Sequence, residues 1–329
     1  MSLTRPMFPH TVDSTILAAF RSCPQKAKLT YVDHWKPQNE SVHLVAGGAF
    51  AAGVEAARRA FYIEEQPAED AVAAGMTALM LHYGDFECPS DSAKSLPRMM
   101  GALEFYFANY PLGGEGSTPI TIGEKKAIEF SFAEPLDVLH PVTGDPILYT
   151  GRADMIGHAY GGIFPFDEKT ASSLGPTWSR QWELRSQFTG YVWAARRASI
   201  NAIGAIVRGV SILKTKYETQ QTITYRAQWE LERWEQQVTR DVQRMIRSWA
   251  EGHWDFNLDN ACNEYGGCGL RQVCKMKEPM EWLPAYFEQR VWDPLARRQL
   301  SVAEWEASWG HDPEESGRAA QRILQNPWG

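Results

Sequence analysis

Residues 149–191, YTGRADMIGHAYGGIFPFDEKTASSLGPTWSRQWELRSQFTGY, carry the reading that decides the fold. Two runs of strand character, 147–159 and 163–170, flank a Tyr-Gly-Gly signal of the kind that turns a hairpin. With Tyr160-Gly161 as the tight loop, Ala159 faces Gly162, and counting back along both strands brings Asp154 opposite Asp167. Opposed residues of an antiparallel pair share a face, so Arg152 and Lys169 join them there. A half-step in register would put the two acids on opposite faces.

Two neighbouring carboxylates repel each other, and a divalent cation removes the conflict. Hard oxygen donors at this separation suit Mg2+ or Mn2+. Lys169, two residues beyond Asp167, points at the same spot and can orient or deprotonate a metal-held water. Such a constellation is built for metal-assisted hydrolysis of an anionic ester. The plainer alternative is a salt-bridged hairpin face in which Arg152 and Lys169 neutralise the acids, and spacing alone leaves both open.

Gly151-Arg152-Ala153-Asp154, Asp167-Glu168-Lys169-Thr170, and Gln187 with Tyr191 resemble the G-x-x-D, D-x-K-T and Q-x3-Y signatures of the RecB-like branch of the PD-(D/E)XK nucleases. The resemblance implies an α/β fold, a restriction-endonuclease-like core with a mixed central sheet. It also implies that Asp154 and Asp167 bind metal, that the carbonyl of Glu168 adds a ligand, and that Lys169 serves the attacking water. Gln187 and Tyr191 stand i, i+4 on a helix expected over 179–197, and are implied to line the DNA side. The carboxylate of Glu168 is expected on the opposite face of its strand.

Residues 44–62 read as a helix rich in small side chains. In the resembled family this helix often carries a histidine in a G-x3-H context, which corresponds here to Ala51. Glu55, one turn on, is expected either to reach the metal site or to pair with Arg58 or Arg59. Helices over 67–83 and 91–110 form a helical insertion before the sheet.

Cys262, Cys268 and Cys274 lie in a C-x5-C-x5-C pattern, and Cys23 precedes a proline far upstream. Four thiolates hold either an iron-sulfur cubane or a structural zinc. Bare thiols or disulfides are the other choices, the latter disfavoured in a reducing compartment. Residues 14–24 resemble the entry of RecB-like nucleases that carry an iron-sulfur cluster, similar to CRISPR-adaptation nucleases and phage exonucleases. That resemblance implies a four-cysteine 4Fe-4S staple on Cys23, Cys262, Cys268 and Cys274, although the family more commonly uses a C-x2-C step. Tying residue 23 to 262 closes a very long loop, so the centre is expected to stabilise the fold rather than catalyse.

The 329 residues carry a net charge of -7 and no apolar run of membrane-spanning length. The expectation is a cytoplasmic protein without a membrane partner. The charge argues against coating nucleic acid through bulk attraction, but leaves room for a local groove drawn from Arg180, Arg185, Arg196, Arg197 and Arg208. A strand is expected over 120–132, a doubly buried strand over 202–213, an extended segment over 214–225 and a long helix over 227–250. Four segments follow: 1–118, helical with the first cysteine; 119–225, the nuclease core; 226–279, the long helix and cysteine cluster; and 280–329, a tail with a final helix near 301–324.

The function implied is a Mg2+- or Mn2+-dependent deoxyribonuclease, exonucleolytic on single strands or duplex ends, in recombination, repair or phage DNA processing. Its implied partners are DNA and a recombinase, annealing protein or helicase. The alternative is a catalytically inactive nuclease-fold protein that binds DNA or acts as a scaffold.

Overall fold

The computed structural model describes residues 7–39, 41–114, 117–258, 261–263, 267–277 and 281–293. The chain divides into two compact units, each assembled from separated segments. One comprises the described residues of Met1–Asn39, Ser131–Gly151 and Glu232–Gly329; the other comprises those of Glu40–Phe130 and Arg152–Leu231. The four sequential segments read from the sequence are therefore interleaved, because the strands Ile128–Leu139 and Pro146–Ala159 each run from one unit into the other.

The second unit holds a mixed sheet. Tyr160 and Gly161 adopt left-handed φ values of 48° and 75°, the turn geometry that suits a twisted hairpin. Ala159 then pairs with Gly162, and the antiparallel ladder runs back to Met155 and Phe166, the register expected from the turn. Gly162–Ala171 next pairs in parallel with Gly204–Ile212, setting Asp167 beside Val207, Glu168 beside Arg208 and Lys169 beside Gly209. Tyr217–Tyr225 completes that side antiparallel. A parallel pair needs a crossover, and the helices Pro176–Arg180 and Ser186–Arg197 supply it.

Those two helices replace the single one expected over 179–197. At the break the Arg185 amide donates to the Trp182 carbonyl at 3.2 Å in a tighter i, i+3 turn, and the guanidinium of Arg226 donates to the same carbonyl at 3.3 Å and to the Thr189 hydroxyl at 2.9 Å. The strand expected over 120–132 is likewise divided. Gly123, at φ 59°, turns a small hairpin between Thr121–Ile122 and Lys125–Lys126 before the long strand Ile128–Leu139 begins.

Each face of this sheet has its own helical layer. Val42–Tyr62, Ala68–Tyr83 and Leu96–Asn109 pack around Phe50, Leu79, Leu103 and Tyr106 against Val210 and Ile212. Full burial of such side chains contributes about 1.5–3 kcal/mol each. Gly53 and Gly75 let the first two helices touch backbone to backbone, since a Cβ on Gly75 would strike the carbonyl of Gly53. On the other face Trp178 lies over Gly209, leaving no room for a Cβ there. Gly204–Ile212 is buried along its whole length, as its apolar run predicts.

In the first unit, Thr11–Val12 runs parallel to Leu148 and Tyr149. Asp13 caps the helix Ser14–Ser22, accepting from the Ile16 amide at 2.7 Å, and accepts from the Trp292 indole at 3.1 Å. Arg21 pairs with the buried Asp241 of Gln228–Glu251 at 2.7 Å. Phe287–Gln289 adds an antiparallel partner to Trp35–Pro37. The final helix expected near 301–324 lies outside the described residues.

Candidate active site

The hairpin ladder ends at Met155 and Phe166, one step short of the two acids. From there Gly162–Ala171 follows Gly204–Ile212 instead, so the Glu168 amide loses its place in the hairpin. Asp154 fills the gap, its Oδ2 accepting from the Glu168 amide at 2.8 Å. The point where the two strands part is thus where the side chains gather.

Asp167 is 2% exposed, and its Oδ1 accepts from the Gln187 amide at 3.2 Å. Its Oδ2 lies 2.6 Å from the Lys169 ammonium, yet this buried oxygen receives no hydrogen bond of ordinary geometry. Burial, then the charges of Asp167 and Glu168, hold the Asp154 carboxyl well above the usual carboxylate range. Burial also raises Asp167, against the opposing pull of Lys169. Two desolvated carboxyls meeting at one point are a donor set that fits a hard divalent cation.

The Ser186–Arg197 helix bolts this arrangement down. Gln187 donates to the Tyr191 hydroxyl at 2.8 Å, and that hydroxyl donates to the Arg152 carbonyl at 2.7 Å. Both helical residues therefore tie one strand to the other through Asp167. Arg152 itself does not turn toward the acids as expected. Its guanidinium pairs at 2.7 Å with Glu129, a nine-tenths-buried residue with φ 55°. Burial, offset in part by Arg152, places the Glu129 carboxyl at about 7.

Two expected donors have other partners. Glu55 pairs with Arg59 at 2.8 Å across one helical turn, the second of the two outcomes foreseen for it. The Glu168 carboxylate faces away from Asp167, as strand alternation requires. There Arg58 grips it through both oxygens, Nη1 to Oε2 at 3.0 Å and Nη2 to Oε1, while Tyr106 donates to Oε1 at 2.9 Å. Burial alone would raise Glu168, but the charge and hydrogen bonds of Arg58 bring it down to about 2. Among the described residues, no three or more His, Cys, Asp or Glu side chains form a group able to hold a metal. A cation here would rest on two carboxylates, with other oxygen atoms completing its shell.

Arg58, Tyr106 and Glu129 escape a reading of motifs. A signal for Arg58 did exist: it continues the buried stripe of Phe50, Val54 and Ala57, where a charge demands a partner. Of the arginines named for a groove, Arg185 neighbours Asp167 electrostatically. Arg196 is spent on the carbonyls of Ala202 and Arg226, and Arg208 on Gln221.

The cysteines form a separate pocket in the first unit. Cys23, Cys262, Cys268 and Cys274 line it together with Lys26, Phe256, Leu258 and Leu270. Its halves are joined by backbone: the Gln25 amide donates to the Asp255 carbonyl at 3.0 Å, and the Asn257 side chain to the Ser22 carbonyl at 2.8 Å. The Cys268 amide donates to the Cys262 carbonyl at 3.0 Å across a turn through Gly267. Desolvation, then the neighbouring thiols of Cys268, Cys23 and Cys262, push the Cys274 thiol up to about 11.

Among the described residues no helix is long and apolar enough to cross a membrane. No curated protein matches the chain. A crystal structure of a protein from Eubacterium rectale, named as a provisional exonuclease, is similar over 80% of this chain and 87% of its own, at 11% identity and a TM-score of 0.46. The crystal structure of SSO0001 is similar over 60% and 74%, at 14% identity and a TM-score of 0.27. Likenesses this distant carry no weight of their own. The family model does: that of the PD-(D/E)XK nuclease superfamily matches residues 14–275, which include both acids, Lys169 and all four pocket cysteines, and so this chain belongs to the PD-(D/E)XK nuclease superfamily.

Proposed function

We propose that the protein is a metal-dependent deoxyribonuclease of the RecB-like type, exonucleolytic on single strands or duplex ends. The observation that carries this reading is the convergence of Asp154 and Asp167 at the parting of two strands, with the Lys169 amine 2.6 Å from Asp167 Oδ2. Nucleases of this superfamily generally use Mg2+ or Mn2+. Asp154 and Asp167 would hold such an ion, which supplies Lewis-acid polarisation of a phosphodiester and a more acidic water. Lys169 is partly exposed and can hold the attacking water or offset the charge that builds on the phosphate. Gln187 and Tyr191 keep Asp167 at its station.

For the cysteine pocket we infer a 4Fe-4S cluster, with zinc as the alternative. Four thiols lining one pocket support either soft-metal centre. The ligands would be Cys23, Cys262, Cys268 and Cys274, and the centre would brace chain segments far apart in sequence. A place in recombination, repair or phage DNA processing, beside an annealing protein, recombinase or helicase, extends the same reading.

A second reading, DNA binding or scaffolding without cleavage, draws on Ala51 and Glu55: the first has no donor and the second is engaged by Arg59. End-labelled single-stranded and duplex DNA, incubated with and without Mn2+, separates the two. Cleavage should require the ion, and Asp154→Ala, Asp167→Ala or Lys169→Ala should each lower it by at least ~100-fold with the fold retained. Undiminished cleavage by all three folded variants would refute the nuclease reading.

A further inference from the structure

The residue between the two functional side chains of Asp167-Glu168-Lys169 is itself built into the site from behind. Glu168 is 7% exposed and belongs to the face of the sheet covered by Val42–Tyr62 and Leu96–Asn109. Arg58 of Val42–Tyr62 takes both of its carboxylate oxygens, Tyr106 of Leu96–Asn109 donates to one of them, and Arg58 also donates to the Tyr106 hydroxyl at 3.2 Å. Arg208, beside Glu168 in the parallel ladder, adds positive charge there and is braced between the rings of Tyr110 and Phe166. On its backbone side Glu168 donates its amide to Asp154 Oδ2 at 2.8 Å.

From this placement we infer that Arg58, Glu168 and Tyr106 form a clamp that sets the separation of Asp154 and Asp167, and with it the affinity of the site for a divalent cation. This rests on the nuclease reading above. The hairpin ladder no longer holds Gly162–Ala171 beyond Phe166, so residues 167–169 are held by the parallel ladder to Gly204–Ile212, by the Asp154 carboxylate and, from the helices, by Arg58 and Tyr106. A fully buried ion pair is seldom the most stabilising way to fill a core, since apolar residues of similar volume do as well or better. What the pair supplies here is a fixed height and orientation for one peptide unit, flanked by Asp167 on one side and Lys169 on the other. The side chains of Arg58, Glu168 and Tyr106 are positioning groups: they lie on the far face of the strand from Asp167 and act through the Glu168 peptide.

The test is Mn2+ binding to the full-length protein, followed by electron paramagnetic resonance, alongside thermal melting and DNA cleavage across a Mn2+ titration. The double variant Arg58→Met/Glu168→Leu removes both buried charges together, so folding should survive. Its Mn2+ affinity should fall about 10–100-fold, with cleavage recovered at high Mn2+, as for other residues that orient metal ligands from behind. Tyr106→Phe loses two hydrogen bonds, one to Glu168 and one from Arg58, without creating an unpaired buried charge, and should lower Mn2+ affinity by roughly threefold. Unchanged Mn2+ affinity in the folded double variant overturns the clamp; if that variant does not fold, unchanged affinity in Tyr106→Phe does so. The two readings fail differently. Parent protein that binds Mn2+ but does not cleave DNA sinks the nuclease function and leaves the clamp standing on its affinities, whereas parent protein that binds no Mn2+ sinks both.

Discussion

The acid site and the cysteine pocket pose the same physical problem and solve it by different means. Each brings together groups that repel when ionised, one pair of carboxylates and one set of four thiols. At the acid site the protein supplies the counterweights itself. Asp154 takes an amide, Asp167 takes Gln187 and Lys169, and the peptide between the strands is gripped by Arg58 and Tyr106. In the cysteine pocket the neighbours are largely apolar, Phe256, Leu258, Leu270 and the aliphatic part of Lys26, and the Cys274 thiol is raised to about 11. In the reading proposed above, a metal centre would supply the charge that four thiolates need. A site braced by protein should lose activity without losing the fold, whereas one braced by its metal should do the reverse.

The largest effect expected from that contrast is on stability. Replacing any of Cys23, Cys262, Cys268 or Cys274 by Ala should lower the melting temperature on the order of 10 °C, because each removes a ligand from a centre that closes a long loop. Visible absorption from a brown cluster should vanish with it. Asp154→Ala should leave melting nearly unchanged. Melting curves that fall equally for both classes of variant would erase the distinction, and colourless parent protein with bound zinc would move the centre to the alternative metal.

A middling effect concerns the Gln187 and Tyr191 pair. Gln187→Ala frees Asp167 Oδ1 from its donor without touching Lys169. Cleavage at limiting Mn2+ should drop about tenfold and recover as Mn2+ is raised. If instead the Michaelis constant for DNA rises at saturating Mn2+, the glutamine contacts substrate, as the family resemblance implies, rather than acting through the acid.

The same two regions show what a single sequence can and cannot disclose. The hairpin register was legible because Tyr160-Gly161 admits one tight turn, and the side-chain period of two then fixes which residues meet. The shared pocket of four cysteines was legible from residue type alone. The partner of Glu168 was not, because Arg58 stands 110 residues away and offered itself locally as a mate for Glu55. Glu129 was hidden for a related reason: the charge that holds Arg152 comes from a neighbouring strand, where an irregular φ carries it inward. Local periodicity finds faces, while the choice among charged partners on a face belongs to tertiary packing.

The smallest effect separates the regions by acid. His10, in the unit that holds the cysteine pocket, stacks on His140 at 3.9 Å between ring centres with 5° between planes. Burial, then the neighbouring His140, lower His10 to about 4, with Asp145 pulling the other way. His140 Nδ1 accepts from the Val142 and Thr143 amides, while Nε2 meets the Phe8 carbonyl at 2.8 Å. Since the unfolded imidazole titrates near ~6.5, the unfolded chain binds more protons than the folded one between that pH and about 4. The contribution of His10 is thus fully present above about 6.5 and is lost as pH falls through the window. The Leu148 amide, bonded to the His10 carbonyl at 3.0 Å, reports on it locally. Hydrogen-exchange protection of Leu148, corrected for intrinsic rate, should decline from pH 7 to pH 4.5 relative to the Glu168 amide, and His10→Gln should flatten that decline. An equal decline in His10→Gln would mean that the acid acts elsewhere in this unit, His34 being the next group to test because burial and Lys36 lower it to about 4 as well.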